Sequence, residues 1–312
     1  MISTPTVLIL GAGASIPYGF PDGWTLKNDI WQSILTKDHC FRKLKEQGFH
    51  EEDLAFFAER LKYSGEMSID AFLERCPTFQ KMGKRAIAVE LIKYEHPMRL
   101  TPRKLDNGHW SAWQWYHHLF EKLTMGLEPA TFNQNKLAVI TFNYDRSLEE
   151  FLFKALRITF AESEEQALAL LKLITIKHVH GMLSPYDPLG MGFGRRYTTR
   201  SDEADIRLAA ESIRIISDDN DSAFVEAREK IGAAERICFL GFGYHPDNCR
   251  RLRISNKQRV HGTVYGLTRQ EFTTKVMTFF KHQAEGKFLD PLMPVNQCTN
   301  IDYLRHYFPL EL

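Results

Sequence analysis

Two histidines, His178 and His180, stand at the end of the apolar run in "TIKHVHGML" (175–183). An imidazole, with an unperturbed pKa of about 6.5, serves as a base, an acid or a metal ligand near neutral pH. Side chains two apart on a strand face the same side, so the spacing predicts that both rings share one face. Three interpretations are open: a metal pair, two packed core histidines, or one supporting histidine beside an active-site base. A metal pair is the weakest, because no H-E-x-x-H motif or nearby cysteine supplies further ligands.

Glycines follow two apolar runs. In "VLILGAGAS" (7–15), Gly11 suits a tight turn, and Gly13 lets the backbone approach a phosphate at a helix N-terminus. The spacing is shorter than the full G-x-G-x-x-G fingerprint, so a generic glycine turn is the alternative. In "LGFGYHPDN" (240–248), a second glycine turn suits a ribose or adenine pocket, or is an ordinary strand-to-helix loop.

An amide and a carboxylate follow another apolar run in "VITFNYDRSLEEF" (139–151). Asn143 offers donors and acceptors to a ligand at the end of a predicted strand. Asp145 is either a ligand contact or the N-cap of the next helix, where Ser147 and Glu150 fit a capping box.

The elements that must position these residues alternate between strand and helix. Buried β-rich runs predict strands at 6–10, 137–142, 175–181, 236–243 and 262–267, and amphipathic stripes predict helices between them. This alternation predicts an α/β fold, a Rossmann-like parallel sheet with helices on both faces. Residues 38–134 contain helical patterns and no strand, which predicts a helical insertion or subdomain within a domain formed by 1–37 and 135–312.

Composition narrows the class of protein. The 312 residues are 44% hydrophobic and 25% charged, with a formal net charge of +1, so global charge favours neither nucleic acid nor an anionic membrane. An odd number of cysteines without a C-x-x-C pair argues against a disulfide framework and a structural zinc site. The N-terminus lacks a basic signal-peptide region, and no run of eighteen apolar residues exists. We therefore expect a cytoplasmic protein outside the membrane.

Taken in order, the motifs resemble those of the sirtuin superfamily, most closely its Sir2-like NAD-consuming branch. "GAGAS" followed by "GFPD" is similar to the phosphate-binding turn and the Gly-x-Pro-Asp loop, and "TFNYD" to the Thr-x-Asn-x-Asp motif. "HVHG" places His180 at the catalytic histidine, and "LGFG" lies at the late glycine–serine turn. The resemblance covers 6–35 and about 137–268 and leaves the helical region unmatched.

The resemblance implies a site for NAD+ as substrate, with no metal. It assigns catalytic roles to His180 and Asn143, while His178 supports the site or packs. The implied NAD+-binding residues are Gly11, Ala12, Gly13, Ser15, Asp22, Asp145, Gly241 and Gly243.

The departures from the deacylating sirtuins change the expected reaction. Gly23 and Trp24 replace the usual Phe-Arg pair, and Phe142 replaces the glutamine before the asparagine. No cysteine lies between Gly181 and Cys238, so the zinc module is absent. The NAD hydrolases of bacterial antiphage defence also lack it. The expected activity is therefore NAD+ glycohydrolysis, and the alternatives are an NAD- or ADP-ribose-binding module without turnover and a zinc-free deacylase. A dehydrogenase compares poorly, because a helical insertion follows the first strand and helix.

The resemblance further implies a homo-oligomer, with an ATPase or a nucleic-acid-sensing protein as candidate partner. Trp110, Trp113 and Trp115 in "HWSAWQWYHHLF" are typical of core packing, with a partner interface as the alternative. The loop at 182–204, which carries Arg195, Arg196 and Arg200, is either a lid over phosphates or a solvated loop.

Overall fold

A parallel sheet forms the centre of the computed structural model, which describes residues 1–102, 114–215, 222–255, 257–280 and 298–310. Within these ranges five strands pair in the order β3-β2-β1-β4-β5, all parallel. Their bounds are β1 Thr6–Leu10, β2 Leu137–Thr141, β3 Thr175–His178, β4 Arg236–Leu240 and β5 Arg259–Gly262. The predicted α/β class with a parallel, helix-flanked sheet is confirmed.

Helices connect and cover the strands. In chain order they are α1 (Gly23–Leu35), α2 (His39–Glu46), α3 (Glu51–Lys62), α4 (Ile69–Arg75), α5 (Gln80–Ile92), α6 (Trp115–Thr124), α7 (Ser147–Thr159), α8 (Glu164–Leu171), α9 (Glu203–Ser212), α10 (Ser222–Ala233), α11 (Pro246–Leu252), α12 (Arg269–Glu271), α13 (Thr278–Phe280) and α14 (Asn300–His306), with a π-helical segment at Phe272–Met277. Short 3-10 helices lie at Ala12–Ala14, Ile16–Tyr18, Pro77–Phe79, Pro97–Leu100 and Pro129–Gln134. None of the helices in the described ranges has the length and apolar content that a membrane crossing requires.

Alternation along the strands divides the core into two clusters. In β1, Leu8 and Leu10 belong to one cluster, and Val7 and Ile9 belong to the other. Successive side chains of a strand point to opposite faces, so a strand buried on both faces must be apolar throughout. This is why "TVLIL" is a continuous apolar run and does not alternate with polar residues.

The helices of 38–134 pack on one face of this sheet. Their buried side chains, such as Leu54 and Ile87, join Leu8 and Val139 in one continuous cluster. Helices α10 and α11 supply Phe224 and Leu252 to the cluster on the opposite face. The division into 1–37 with 135–312 and a separate 38–134 subdomain remains a prediction.

Three strand predictions need correction. The strand at 236–243 ends at Leu240, where the chain turns at Gly241 with a φ of +57°. The strand at 175–181 ends at His178, because Gly181 has a φ of +74° and turns to pair with Ile213 instead. The last strand is Arg259–Gly262 and not 262–267. Beyond Gly262, the Thr263 hydroxyl accepts from the Gly241 amide and its carbonyl accepts from the Tyr244 hydroxyl, both at 2.9 Å.

Candidate active site

The candidate site lies where the strand order reverses. From β1 the chain proceeds outward through β2 and β3, then returns to place β4 on the other side of β1. In open α/β sheets ligands bind outside the carboxyl ends of the strands at such a point. Gly11 follows β1 and Gly241 follows β4 here, while Asn143 and His180 lie just beyond β2 and β3.

The two glycine turns pack directly against each other, backbone to backbone. A Cβ at Gly11 would lie 2.6 Å from the Gly241 carbonyl oxygen, and one at Gly13 would lie 2.8 Å from the Gly241 Cα. Gly241 itself has a φ of +57°, a conformation that disfavours side chains. These glycines are therefore required for the strand ends to approach each other. Gly243 has open space where a Cβ would stand.

Several amides of the first turn already donate within the protein. The amide of Gly11 donates to the Leu240 carbonyl, that of Gly13 to the Gly241 carbonyl, and that of Ser15 to the Ala12 carbonyl, at 3.0, 2.9 and 3.0 Å. In this conformation the turn directs these three amides to the protein. The phosphate-binding role of Gly11, Ala12, Gly13 and Ser15 stays a prediction.

Substituting Gly13 with alanine should lower the free energy of unfolding by about 1–3 kcal/mol or more. The new methyl group would meet the backbone of Gly241, which cannot rotate away as a side chain can. Gly243→Ala is the matched control, and we expect it to unfold within about 0.5 kcal/mol of the wild type. Urea denaturation followed by circular dichroism measures both. Equal stability of the two variants would contradict the close packing of the glycine turns.

Asn143, which is partly buried, is held in a polar network with buried Ser15 and Asp145. Its Nδ2 donates to the Gly11 carbonyl at 2.9 Å and to the Ser15 hydroxyl at 3.0 Å. The Ser15 hydroxyl in turn donates to Asp145 Oδ2 at 2.7 Å. The bonds made by Nδ2 fix the plane of the amide and turn its oxygen away from the glycine turn. Three of the residues that the sequence analysis selected, Asn143, Ser15 and Asp145, thus come together.

Asp145 also bonds the first residue of α7, although the N-cap of this helix is Arg146 and not Asp145 as the alternative predicted. Its Oδ1 accepts from the Ser147 amide at 3.1 Å and from the Ser147 hydroxyl. Burial raises the pKa of the Asp145 carboxyl, although the bonds from Ser147 and Ser15 act in the opposite direction. The capping-box prediction is wrong, because Glu150 accepts from the Tyr186 hydroxyl at 2.7 Å and pairs with Lys154.

Helix α6 packs against the first glycine turn and the residues after it. The sequence motifs did not reveal this contact. The Trp115 Nε1 donates to the Ala14 carbonyl at 2.9 Å, and the Tyr116 amide donates to the Tyr18 hydroxyl at the same distance. The Tyr18 and Tyr116 rings stack with centroids 3.8 Å apart. Trp115 is fully buried, as core packing predicts; Trp110 and Trp113 lie outside the described residues.

The predicted common face for the two histidines is wrong, because β3 ends at His178. The His178 ring lies beside α7, 2.6 Å from Glu149 Oε1 through Nε2 and 2.8 Å from the Asn143 carbonyl oxygen through Nδ1. Burial lowers the pKa of His178, but the Glu149 carboxylate, the Asn143 carbonyl and Asp145 together outweigh it, and the pKa is raised. His178 is therefore occupied at both ring nitrogens.

His180 lies in a different environment, among aromatic rings. Its ring centroid is 5.4 Å from that of Phe142 and 6.1 Å from that of Phe224. Its Nδ1 is buried and has no hydrogen-bond partner among the described residues. Burial lowers the pKa of His180, against the opposing effects of Asp70 and of a hydrogen bond with Asn248. The ring is therefore neutral near pH 7, with one nitrogen uncommitted.

Helix α4 of the helical region covers the strand ends near His180. The Tyr144 hydroxyl donates to Asp70, and Arg251 of α11 pairs with Glu74 at 3.0 Å. The charges of Asp70 and Glu74 on α4 and of Arg251 on α11 all act on the pKa of His180. The helical region thus contributes charged groups to the surroundings of this histidine.

Asp22 and Arg195, which the sequence analysis selected, both have structural partners. Asp22 accepts from the Thr25 amide at 2.7 Å and caps α1, so its carboxylate has a structural role. In the loop at 182–204, Arg195 is buried against Glu95 and Asp205, at 2.9 and 3.2 Å. Arg195 therefore anchors the loop to the protein, and it is neither a solvated residue nor one free to close over phosphates.

Among the described residues, no group of three His, Cys, Asp or Glu side chains is arranged to hold a metal ion. The two histidines share no ligand position, because one faces Glu149 and the other faces Phe142. Comparisons with known proteins give no matching protein-family model and no significant match to a curated protein.

Proposed function

We propose that this protein is an NAD+ glycohydrolase that cleaves the nicotinamide–ribose bond to give nicotinamide and ADP-ribose. The observation that carries the proposal is the reversal of strand order between β1 and β4, with glycine turns at both ends and Asn143 beside them. Dinucleotides bind across such a crevice in parallel sheets. The ordered sirtuin-like motifs favour NAD+ over other dinucleotides, and four of them, "GAGAS", "TFNYD", "HVHG" and "LGFG", lie at the ends of β1, β2, β3 and β4.

The reaction needs one bond to break and one to form. The bond between the ribose C1′ and the nicotinamide nitrogen breaks, its electron pair neutralises the ring, and an oxocarbenium-like centre develops at C1′, as in glycoside hydrolysis. A water oxygen attacks C1′, and His180 accepts the proton of that water at Nδ1. A neutral imidazole with an uncommitted nitrogen suits this role.

Binding falls to the glycine turns and the asparagine network. Asn143, whose amide is fixed by Gly11 and Ser15, orients the nicotinamide ribose. The pyrophosphate and the adenosine lie along the turns that contain Gly13 and Gly241. Asp145 acts through Ser15 and Ser147, because its carboxylate is buried among their hydroxyl groups.

The resemblance to defence-associated relatives extends the proposal to biology. In this view the chain is a bacterial antiviral effector that depletes NAD+, in an oligomer or beside an ATPase or a nucleic-acid sensor. Helix α4, which places Asp70 and Glu74 near His180, offers a route by which a partner would alter the site.

Asn143→Ala should slow nicotinamide release at least about 100-fold, since a substrate displaced by about 1 Å loses that much rate. Chromatography of NAD+ incubations resolves nicotinamide, ADP-ribose and cyclic ADP-ribose. Asn133→Ala, an exposed change in Pro129–Gln134, is the control and should leave the rate unchanged. Equal rates in the wild type and Asn143→Ala would remove Asn143 from the site, and intact NAD+ with the wild type would count against the activity itself.

A further inference from the structure

A buried histidine–glutamate pair lies directly behind Asn143. His178 is the last residue of β3, and Glu149 is the third residue of α7. The two residues are 5% and 8% exposed. The His178 ring spans the gap between the Glu149 carboxylate, at 2.6 Å, and the Asn143 backbone carbonyl, at 2.8 Å. Nothing in the proposed reaction uses this pair.

The partners of the ring fix how many protons the pair holds. A backbone carbonyl oxygen only accepts, so His178 Nδ1 must carry a hydrogen. An ionised carboxylate also only accepts, so the short contact at Nε2 needs a second hydrogen, which lies on that ring nitrogen. The pair therefore holds one proton more than a neutral histidine beside a carboxylate.

The groups that face His178 favour this extra proton. Glu149 faces it from α7 and Asp145 from the loop after β2, and both raise its pKa against the effect of burial. Tyr116 of α6 lines the same small cavity, and burial raises the pKa of its hydroxyl, so it stays neutral. Lys177, the neighbour in β3, pairs with Glu226 of α10.

We infer that Glu149 and His178 are positioning residues for Asn143 and that they act through a shared proton. With that proton in place, His178 donates to the Asn143 backbone carbonyl, while Gly11 and Ser15 accept from the Asn143 side chain. The inference rests on the proposed function for its catalytic consequence. When the shared proton is lost, one ring nitrogen keeps only a lone pair. That lone pair faces a lone pair of Glu149 at 2.6 Å or of the Asn143 carbonyl at 2.8 Å, so one of these two contacts must open. Asn143 then loses the restraint that fixes its amide toward the substrate.

Glu149→Gln keeps the shape of the side chain and removes its charge. In the wild type, the ring nitrogens of His178 should both remain protonated in ¹⁵N NMR spectra at pH values above the ordinary pKa of a histidine. In Glu149→Gln they should show a single proton at neutral pH. Glu150→Gln, a neighbouring buried change whose carboxylate contacts Tyr186 and Lys154, is the control. A His178 ring that titrates near its ordinary pKa in the wild type would overturn the inference.

The kinetic consequence separates positioning from a general loss of structure. Nicotinamide release by the wild type should fall as pH rises past the pKa of His178, because one of the two ring contacts then opens. In Glu149→Gln the side-chain amide donates to Nε2 of a neutral ring, so the Nδ1 hydrogen still reaches the Asn143 carbonyl and the rate should not fall over that pH range. A fall in Glu149→Gln at the same pH as in the wild type would overturn the positioning role.

The NMR measurement needs no turnover, so it distinguishes this inference from the proposed function. If no form of the protein releases nicotinamide, the proposed function fails, and the backbone amide shifts at 143–144 decide the positioning claim alone. They should move in Glu149→Gln and stay in place in Glu150→Gln. Unmoved shifts in Glu149→Gln would overturn the claim.

Discussion

Nicotinamide release by His180→Ala should be about 100- to 10,000-fold slower than by the wild type, the range expected when a general base is removed. The ring has a buried Nδ1 to which no described residue forms a hydrogen bond, and burial lowers its pKa, so the ring is unprotonated near neutral pH and Nδ1 can accept a proton. His178, in contrast, has both ring nitrogens occupied.

The fold should survive this change. His180 contributes ring contacts to Phe142 and Phe224 but no hydrogen bond from Nδ1, so His180→Ala should keep its circular dichroism spectrum. His39→Ala, in α2 and outside the candidate site, controls for loss of a half-buried histidine and should keep full activity. Equal nicotinamide release by His180→Ala and the wild type would exclude His180 as the base.

Arg146→Met should lower the free energy of unfolding by about 3–5 kcal/mol, because it leaves a buried carboxylate with an incomplete set of partners. Arg146 and Glu95 are both fully buried and joined at 2.8 and 2.6 Å. The same guanidinium donates to the carbonyls of Arg195 and Arg196, at 2.7 and 3.1 Å. One side chain thus connects α7, the helical region and the long loop.

Urea denaturation measures this effect against Lys154→Met, which removes a half-exposed ion pair with Glu150 on the same helix. We expect the control to change the free energy of unfolding by less than about 1 kcal/mol. A similar small change in Arg146→Met would contradict the buried bidentate pair.

The strands were predictable from local pattern, whereas their order was not. Apolar runs followed by glycine or asparagine marked β1, β2 and β4, because strands buried on both faces are nearly continuous in apolar residues. The order depends on pairings such as Leu10 with Thr141 and Leu240, which are distant in sequence. The error at 262–267 has the same origin, since "GTVYGL" is apolar but Thr263 bonds the Gly241 turn.

The residues of the candidate site that lie in motifs could be predicted from the sequence. Those that reach the site through long-range contacts could not. Asn143, Asp145 and His180 follow strands directly, so their place at the edge of the sheet could be inferred from sequence. Trp115 and Asn300 reach the same glycine turn, donating to the carbonyls of Ala14 and Gly13 at 2.9 and 3.1 Å. Neither lies in a motif, because their roles depend on tertiary packing alone.

The most direct test is a proton NMR time course of NAD+ mixed with the purified wild-type protein. Cleavage of the nicotinamide–ribose bond should appear as resonances of free nicotinamide that grow in step with the loss of those of NAD+, while ADP-ribose accumulates in equal amount. NAD+ resonances that keep full intensity and show no saturation transfer from the protein would contradict both the activity and the dinucleotide site between β1 and β4.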